Sequence, residues 1–346
     1  MSMTELDALD RALLERLQAP MPLVPRPFAA LGQDLGLPET EVLARTRRLK
    51  EAGLIRQIGP IFDTRRLGYE STLVAFHVPE EALEKVAGHV SAHPGVSHNY
   101  ARPHHYNLWF TLAVAPGRDL AAEIEHLACR TGIEDWLNLP ALRVFKIKTL
   151  FGMSGSSQAG DAPTSPRQRS GPGEPHSVPS PSAGRKIAPD DIPLIRALQA
   201  PLPLVSRPFA ALAAEEGLAE EHLLEGANRL QAAGIMRRFS AVLRHRRVGY
   251  TSNGMACWVV PLERIEAVGQ MAARFSEVSH CYQRPAHPPH WPYTLFTMIH
   301  GQSREDVEAT VAHIAHDAGL GDYEVLYSTR EFKKERIKYY QDPSAG

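Results

Sequence analysis

Cysteine is scarce: Cys129, Cys257 and Cys281 are the only three in 346 residues, and no two of them stand in C-x-x-C spacing. A disulfide framework and a thiolate metal site both need more, so a reducing compartment, the cytoplasm, is expected. Long apolar runs are missing too. No stretch of about 18 or more apolar residues occurs and none follows a basic start, which disfavours membrane spanning and secretion. Nor is there an excess of one charge: 38 Lys+Arg stand against 39 Asp+Glu, a formal net of −1. A global attraction to polyanions is therefore absent, which counts against a protein built only to coat nucleic acid.

What is present is a repeat. Residues 18–31 read QAPMPLVPRPFAAL and residues 199–212 read QAPLPLVSRPFAAL, and the same 181-residue offset carries Gly68-Tyr69 onto Gly249-Tyr250. A unit of that length is too long for a solenoid module, so the chain reads as two homologous domain pairs fused head to tail. Between them lies SGSSQAGDAPTSPRQRSGPGEPHSVPSPSAGR, dense in Ser, Pro and Gly and poor in large apolar residues. It cannot bury enough surface to offset its ordering entropy and is expected to be a flexible linker over 154–186.

In the first copy, Leu6, Leu9, Leu13, Leu14 and Leu17 fall at helical spacing with Thr4 as a cap. Two further helices, 28–35 and 39–52, flank Gly36-Leu37-Pro38, where Gly ends one and Pro opens the next. Three helices around a short turn form a helix-turn-helix, and the alternation from Leu54 to Phe62 predicts a wing-like hairpin. Beyond Tyr69 the pattern becomes strand 69–78, helix 80–92, strands 95–101 and 107–114, helix 118–131, strand 142–149, a ferredoxin-like βαββαβ unit. The second copy repeats it with strands near 250–260, 277–283, 293–299 and 322–332 and helices near 262–274 and 303–317. The fold class is therefore α+β: helix-turn-helix domains over 1–67 and 187–248, ferredoxin-like domains over 68–153 and 249–346.

This order, with Leu49-Lys50-Glu51-Ala52-Gly53-Leu54-Ile55 running from a recognition helix into a wing, resembles the Lrp/AsnC architecture and by itself implies an amino-acid-responsive or heme-responsive regulator. Charge argues against that role. Helix 38–52 carries Arg45, Arg47, Arg48 and Lys50 against three Glu, a net of +1, whereas 219–233 carries Arg229 against Glu220, Glu221 and Glu225, a net of −2. A two-fold DNA reader needs two cationic helices. More specific are Val96-Ser97-His98-Asn99-Tyr100-Ala101-Arg102-Pro103-His104-His105-Tyr106-Asn107-Leu108-Trp109-Phe110-Thr111 and its counterpart from Val278-Ser279-His280 through Arg284-Pro285 to Trp291-Pro292-Tyr293-Thr294-Leu295-Phe296-Thr297-Met298-Ile299-His300-Gly301. These stretches, with Arg237-Arg238-Phe239-Ser240-Ala241-Val242-Leu243-Arg244-His245-Arg246, resemble the siroheme decarboxylases, the NirD/L/G/H and AhbA/AhbB proteins, over both copies. The first copy is similar to the D type and the second to the L type, as in a NirD–NirL fusion.

The resemblance implies that siroheme loses two acetate carboxyl groups as carbon dioxide, giving 12,18-didecarboxysiroheme on the way to heme d1 or to protoheme. Siroheme carries eight carboxylates on a flat macrocycle, so its pocket needs fixed cations at the rim, and the planar guanidinium suits a carboxylate. Candidates for substrate binding are Arg56, Arg237, Arg238, Arg244, Arg246, Arg102, His104, His105, Tyr106, His290 and Tyr293, with Arg65, Arg66 and Arg247 also in the hairpins. The conjugated ring can take the electron pair left by carbon dioxide, so no cofactor is expected and the iron belongs to the substrate. A proton must then reach the new methyl carbon, which points to His98, His245, His280 and His287 with Arg284 as catalytic candidates. Acid and axial iron ligand are not told apart at this level. A metal site from His287 and His290 is not expected, because Pro288-Pro289 gives no helical spacing. Trp109, Tyr106, Trp291 and Tyr293 also suit a core or pocket wall, and Cys281 a small packing role. The partners expected are siroheme and the two halves for one another as an internal pseudo-dimer, with the tetrapyrrole where the ferredoxin-like sheets meet. Membrane and nucleic acid are disfavoured, a further homodimer is left open, and the second copy is favoured as the active half. A regulator, or a tetrapyrrole carrier without turnover, is the rival reading.

Overall fold

The computed structural model describes residues 6–147, 187–243 and 252–341. The first copy runs α1 (Ala8–Gln18), α2 (Pro27–Leu35), α3 (Glu39–Glu51), β1 (Ile55–Phe62), β2 (Glu70–Phe76), α4 (Leu83–Ala92), β3 (Val96–Ala101), β4 (Leu108–Val114), α5 (Leu120–Thr131), β5 (Trp136–Pro140) and β6 (Arg143–Ile147). The second runs α6 (Asp191–Gln199), α7 (Pro208–Glu215), α8 (Glu220–Ala232), β7 (Met236–Leu243), β8 (Ser252–Trp258), α9 (Ile265–Ala273), β9 (Val278–Gln283), β10 (Leu295–Gly301), α10 (Arg304–Ala318), β11 (Tyr323–Tyr327) and β12 (Arg330–Lys334). The linker of the sequence reading, and with it Arg244, His245, Arg246 and Arg247, lies outside the described residues.

The chain forms two compact units that mix the copies. Of the described residues, one unit holds 6–70, 187–243 and 338–341, and the other holds 71–147 and 252–337. In the first unit, the cap of α1 is Asp7, whose carboxylate accepts from Asp10 N at 2.6 Å, rather than Thr4. A carboxylate there meets the positive end of the helix dipole as well as an orphan N–H. Gly36 closes α2 in the left-handed region at φ 67°, as the sequence implied, and Pro27, one residue ahead of the expected start, opens it. The expected wing hairpin is not formed. Strand β1 instead pairs antiparallel with β7 of the other copy, Ile58 opposite Ala241 and Gly59 opposite Ser240. Alternating hydrophobicity specifies a strand but not its partner, and the matching ribbon from the second copy satisfies the same edge.

The second unit contains two five-stranded sheets, ordered β12-β3-β4-β2-β5 and β11-β8-β10-β9-β6. Each sheet takes one edge strand from the other copy. Strand β6 lies along β9, Ile147 opposite His280, and β12 lies along β3, Lys334 opposite His98. The fourth strand expected at 322–332 is therefore two strands, β11 and β12, in different sheets. Helices α4 and α5 cover one sheet through Val86, Val90, Ile124 and Leu127; α9 and α10 cover the other through Val268, Val307, Val311 and Ile314. Gly269 on α9 admits the ring of Phe145 from the exchanged strand so closely that a Cβ would sit 2.4 Å from it. A third apolar cluster joins the copies: Ala75, Trp109, Leu137 and Leu139 from one, Met255, Trp291, Phe296 and Leu326 from the other.

Candidate active site

The recognition-helix cations are already engaged within their own unit. Arg45 bridges Asp7 at 2.7 Å, Asp10 at 2.8 Å and Glu41 at 2.9 Å, and Arg48 reaches Asp10 at 2.6 Å. Arg47 donates to Leu204 O at 2.8 Å. These are the side chains a phosphate-reading helix would have to present, and here they brace the domain. On the β1/β7 ribbon, Arg237 donates to Asp63 at 2.8 Å, and burial beside Arg237 lowers the pKa of Arg238 from its ordinary value. Arg56 lies on β1 next to Ile55, which faces Leu243 at the end of β7 that leads towards Arg244. Copy one has Asp63-Thr64 where copy two has Arg244-His245. Asp63 thus makes the loop after β1 partly acidic, and Thr64 shares a 2.8 Å hydrogen bond with the Tyr339 hydroxyl.

In the second unit, period-two spacing places His98, Tyr100 and Arg102 on one strand face, and His280, Tyr282 and Arg284 on the matching one. The rings of His98 and Tyr100 lie 6.1 Å apart, those of His280 and Tyr282 5.9 Å apart. Both arginines brace the opposite copy: Arg102 donates to Leu326 O at 2.5 Å, and Arg284 donates to Leu139 O. Arg102 is 6 % exposed, and burial pushes its pKa down to about 10. Its guanidinium faces a backbone carbonyl, so the rim role expected of it is not what its geometry offers. Period-two spacing groups these side chains; it does not say that Arg102 is buried while His98, Tyr100, His280 and Tyr282 stay half-buried.

The histidine-rich loops do converge. His104 Nε2 lies 3.4 Å from Glu324 Oε2, and the Tyr293 hydroxyl donates to the same oxygen at 3.0 Å. Trp291 fills the space between, its ring centre 5.4 Å from His104, 6.0 Å from Tyr106 and 4.7 Å from Tyr293. Burial lowers the His104 pKa, opposed by Glu324, and raises Tyr106 and Tyr293 to about 12. His105 holds Asp135 at 2.7 Å and stacks on His77 at 4.0 Å. His287 Nε2 is 3.0 Å from Asn138 O, a contact between copies, whereas His290 is exposed. Glu324, Asp135 and His77 were missed in the sequence, where nothing marks an isolated acid or His as a loop's neighbour. The change from Asn107 to Thr294 is conservative in function. Asn107 accepts from Val78 N at 2.9 Å and donates to Val78 O at 2.7 Å; Thr294 makes the same two bonds to Val260 at 3.1 and 2.7 Å.

Among the described residues no cluster of three or more His, Cys, Asp or Glu is arranged to hold a metal ion. Cys257 and Cys281 are buried, and burial raises both thiols, so neither is a ready thiolate. A surface concavity of about 440 Å³ at the start of α5, lined by Gly117, Arg118, Asp119 and His126 among others, contains none of the expected site residues.

Residues 66–146 and 247–333 match the AsnC-like ligand binding domain, and residues 10–56 and 191–237 match the siroheme decarboxylase NirDL-like HTH domain. Siroheme decarboxylase of Hydrogenobacter thermophilus is 40 % identical over 331 residues, spanning 95 % of this chain and 94 % of its own. The chain belongs to the siroheme decarboxylase NirDL family. A crystal structure of the siroheme decarboxylase NirDL in complex with an iron-uroporphyrin III analogue superposes with TM-score 0.73 at 36 % identity, covering 97 % of this chain and 95 % of that one. The siroheme decarboxylase alpha subunit of Desulfovibrio desulfuricans is 44 % identical over 156 residues, 45 % of this chain and 90 % of its own. A half-chain thus exists elsewhere as a subunit, which agrees with the exchanged strands: the two halves here stand as a heterodimer would.

Proposed function

We propose that this chain removes two acetate carboxyl groups of siroheme as carbon dioxide, yielding 12,18-didecarboxysiroheme for heme d1 or protoheme synthesis in the cytoplasm. Its likeness to siroheme decarboxylases along both copies carries the reading. The chemistry is consistent with it. Departure of carbon dioxide leaves an electron pair that the macrocycle can hold, so the protein needs no cofactor of its own; the iron enters with the substrate. Arg56, Arg237, Arg238, Arg244 and Arg246 are assigned to the carboxylates, and His104, His105, Tyr106, His290 and Tyr293 to the periphery of the ring. His98, His245, His280 and His287 are the groups from which proton transfer to the new methyl carbon is drawn. Copy two is the active half, because its loop carries Arg244-His245 where copy one has Asp63-Thr64.

The test is anaerobic incubation of the purified protein with siroheme, following product mass. Loss of two carbon dioxide units is expected. Siroheme that binds and returns unchanged would leave a carrier instead, and salt-sensitive binding to promoter DNA abolished by changing Arg45, Arg47 and Arg48 would favour a regulator.

A further inference from the structure

The two copies differ in how a histidine of the matching strand is held. Ser97 Oγ lies 2.9 Å from His98 Nδ1 and 2.7 Å from Thr111 Oγ1. A threonine hydroxyl both donates and accepts, so this pair leaves the His98 tautomer unspecified. In copy two the corresponding Ser279 Oγ lies 2.8 Å from His280 Nδ1 and 2.6 Å from His300 Nε2, and His300 Nδ1 lies 2.5 Å from Asn253 Oδ1. His300 has no imidazole counterpart in copy one; the strand β4 carries Ala113 after Leu112 as β10 carries His300 after Ile299.

This chain of bonds has a direction. The amide oxygen of Asn253 only accepts, so His300 Nδ1 carries the proton and the neutral ring's Nε2 accepts. Ser279 then donates to His300 Nε2. Its one proton could instead go to Met298 O, but that approach is 3.3 Å against 2.6 Å, and the shorter bond prevails. With its proton committed, Ser279 Oγ can only accept from His280, which fixes the proton of His280 on Nδ1 and makes Nε2 the lone-pair nitrogen. Ser279 is 6 % exposed, so water competes poorly for these bonds.

We propose that His300, acting through Ser279, is a positioning residue that holds His280 as the Nδ1–H tautomer, with Nε2 presented as an electron-pair donor. The assignment rests on the decarboxylase reading only for its purpose. In its resting form His280 then offers Nε2 to a proton or to iron, and it passes a proton to the substrate carbon only after taking one up there; the bonded network sets copy two apart from copy one in addition to its loop composition.

Long-range proton–nitrogen NMR of the full chain with labelled histidine reads the tautomer without substrate. His280 is expected in the Nδ1–H form, shifting towards the Nε2–H form that free histidine prefers in Ser279→Ala and His300→Ala. In turnover, both variants should lower kcat about tenfold or more, the usual cost of losing an orienting partner, with KM little changed. The Ser279→Ala/His300→Ala double variant should lose no more than either alone, since all three act on one hydrogen bond. His280 as Nε2–H in the parent protein, an unmoved tautomer in Ser279→Ala, or unaltered kcat in both folded variants would overturn the proposal. Absence of carbon dioxide release by the parent protein would instead defeat the decarboxylase reading and leave the tautomer result standing.

Discussion

Replacing Arg102 separates two roles that a sequence cannot. The side chain is 6 % exposed, donates to Leu326 O at 2.5 Å and has its pKa lowered to about 10 from 12.5 by burial. At 1.36 kcal/mol per unit, holding the charge there costs about 3 kcal/mol. Arg102→Met keeps the aliphatic stem and removes that cost, but it leaves the Leu326 carbonyl without its donor, a loss of about 1–3 kcal/mol. The two nearly cancel, so Arg102→Met should lie within about 1 kcal/mol of the parent. Arg102→Ala also loses the Cγ and Cδ methylenes at about 0.8 kcal/mol each and opens a cavity, so it should be about 3 kcal/mol worse than Met. Thermal unfolding resolves this as a gap of about 6–12 °C between the two variants. The depressed pKa has a second signature. Between about pH 10 and 12.5 the unfolded chain binds the extra proton, so stability rises with pH by this group's share, and the Met variant lacks that rise. Equal damage from Met and Ala would refute the bookkeeping. A KM raised tenfold in a Met variant of parental Tm would show instead that Arg102 meets substrate.

Two other perturbations test the interface chemistry. Trp109 Nε1 donates to Tyr106 O at 2.6 Å, whereas the buried Trp291 Nε1 has no hydrogen-bond acceptor among the described residues; Trp109→Phe should therefore cost at least about 1 kcal/mol more than Trp291→Phe in urea unfolding, since only the first strands a carbonyl. An inverted order would sink that reasoning. His104, its pKa lowered by burial, is neutral in both states well above pH 6.5; as pH falls below that, the unfolded chain protonates first and stability drops until the folded value is passed. His104→Gln should flatten this part of the stability profile between pH 7 and 5, and an unchanged profile would mean that the imidazole is not desolvated as described.

The repeat, both domain types and most element positions were legible in the sequence because each rests on local rules: leucines at helical spacing in α1, Gly36 after α2 and Pro38 before α3, alternation in β1. The histidines and tyrosines of the two loops were visible for the same reason, since Arg-Pro recurs beside them in both copies. Partnership was not visible. A strand's period of two says which faces it has, never whose backbone it will bond, so β1 with β7, β6 with β9 and β12 with β3 were settled only when the copies folded together. That pairing decided which cations are used internally: Arg102 read as a ligand for carboxylates and Arg284 as a catalytic group until strands from the opposite copy supplied carbonyls for them. Folding of the copies together brought Glu324 to His104 across 220 positions of sequence, and the second copy's own fold brought Glu324 to Tyr293 across 31 and His300 to Ser279 across 21. Local free energies fix what each segment becomes. Long-range hydrogen bonding and burial fix what each polar group is left to do.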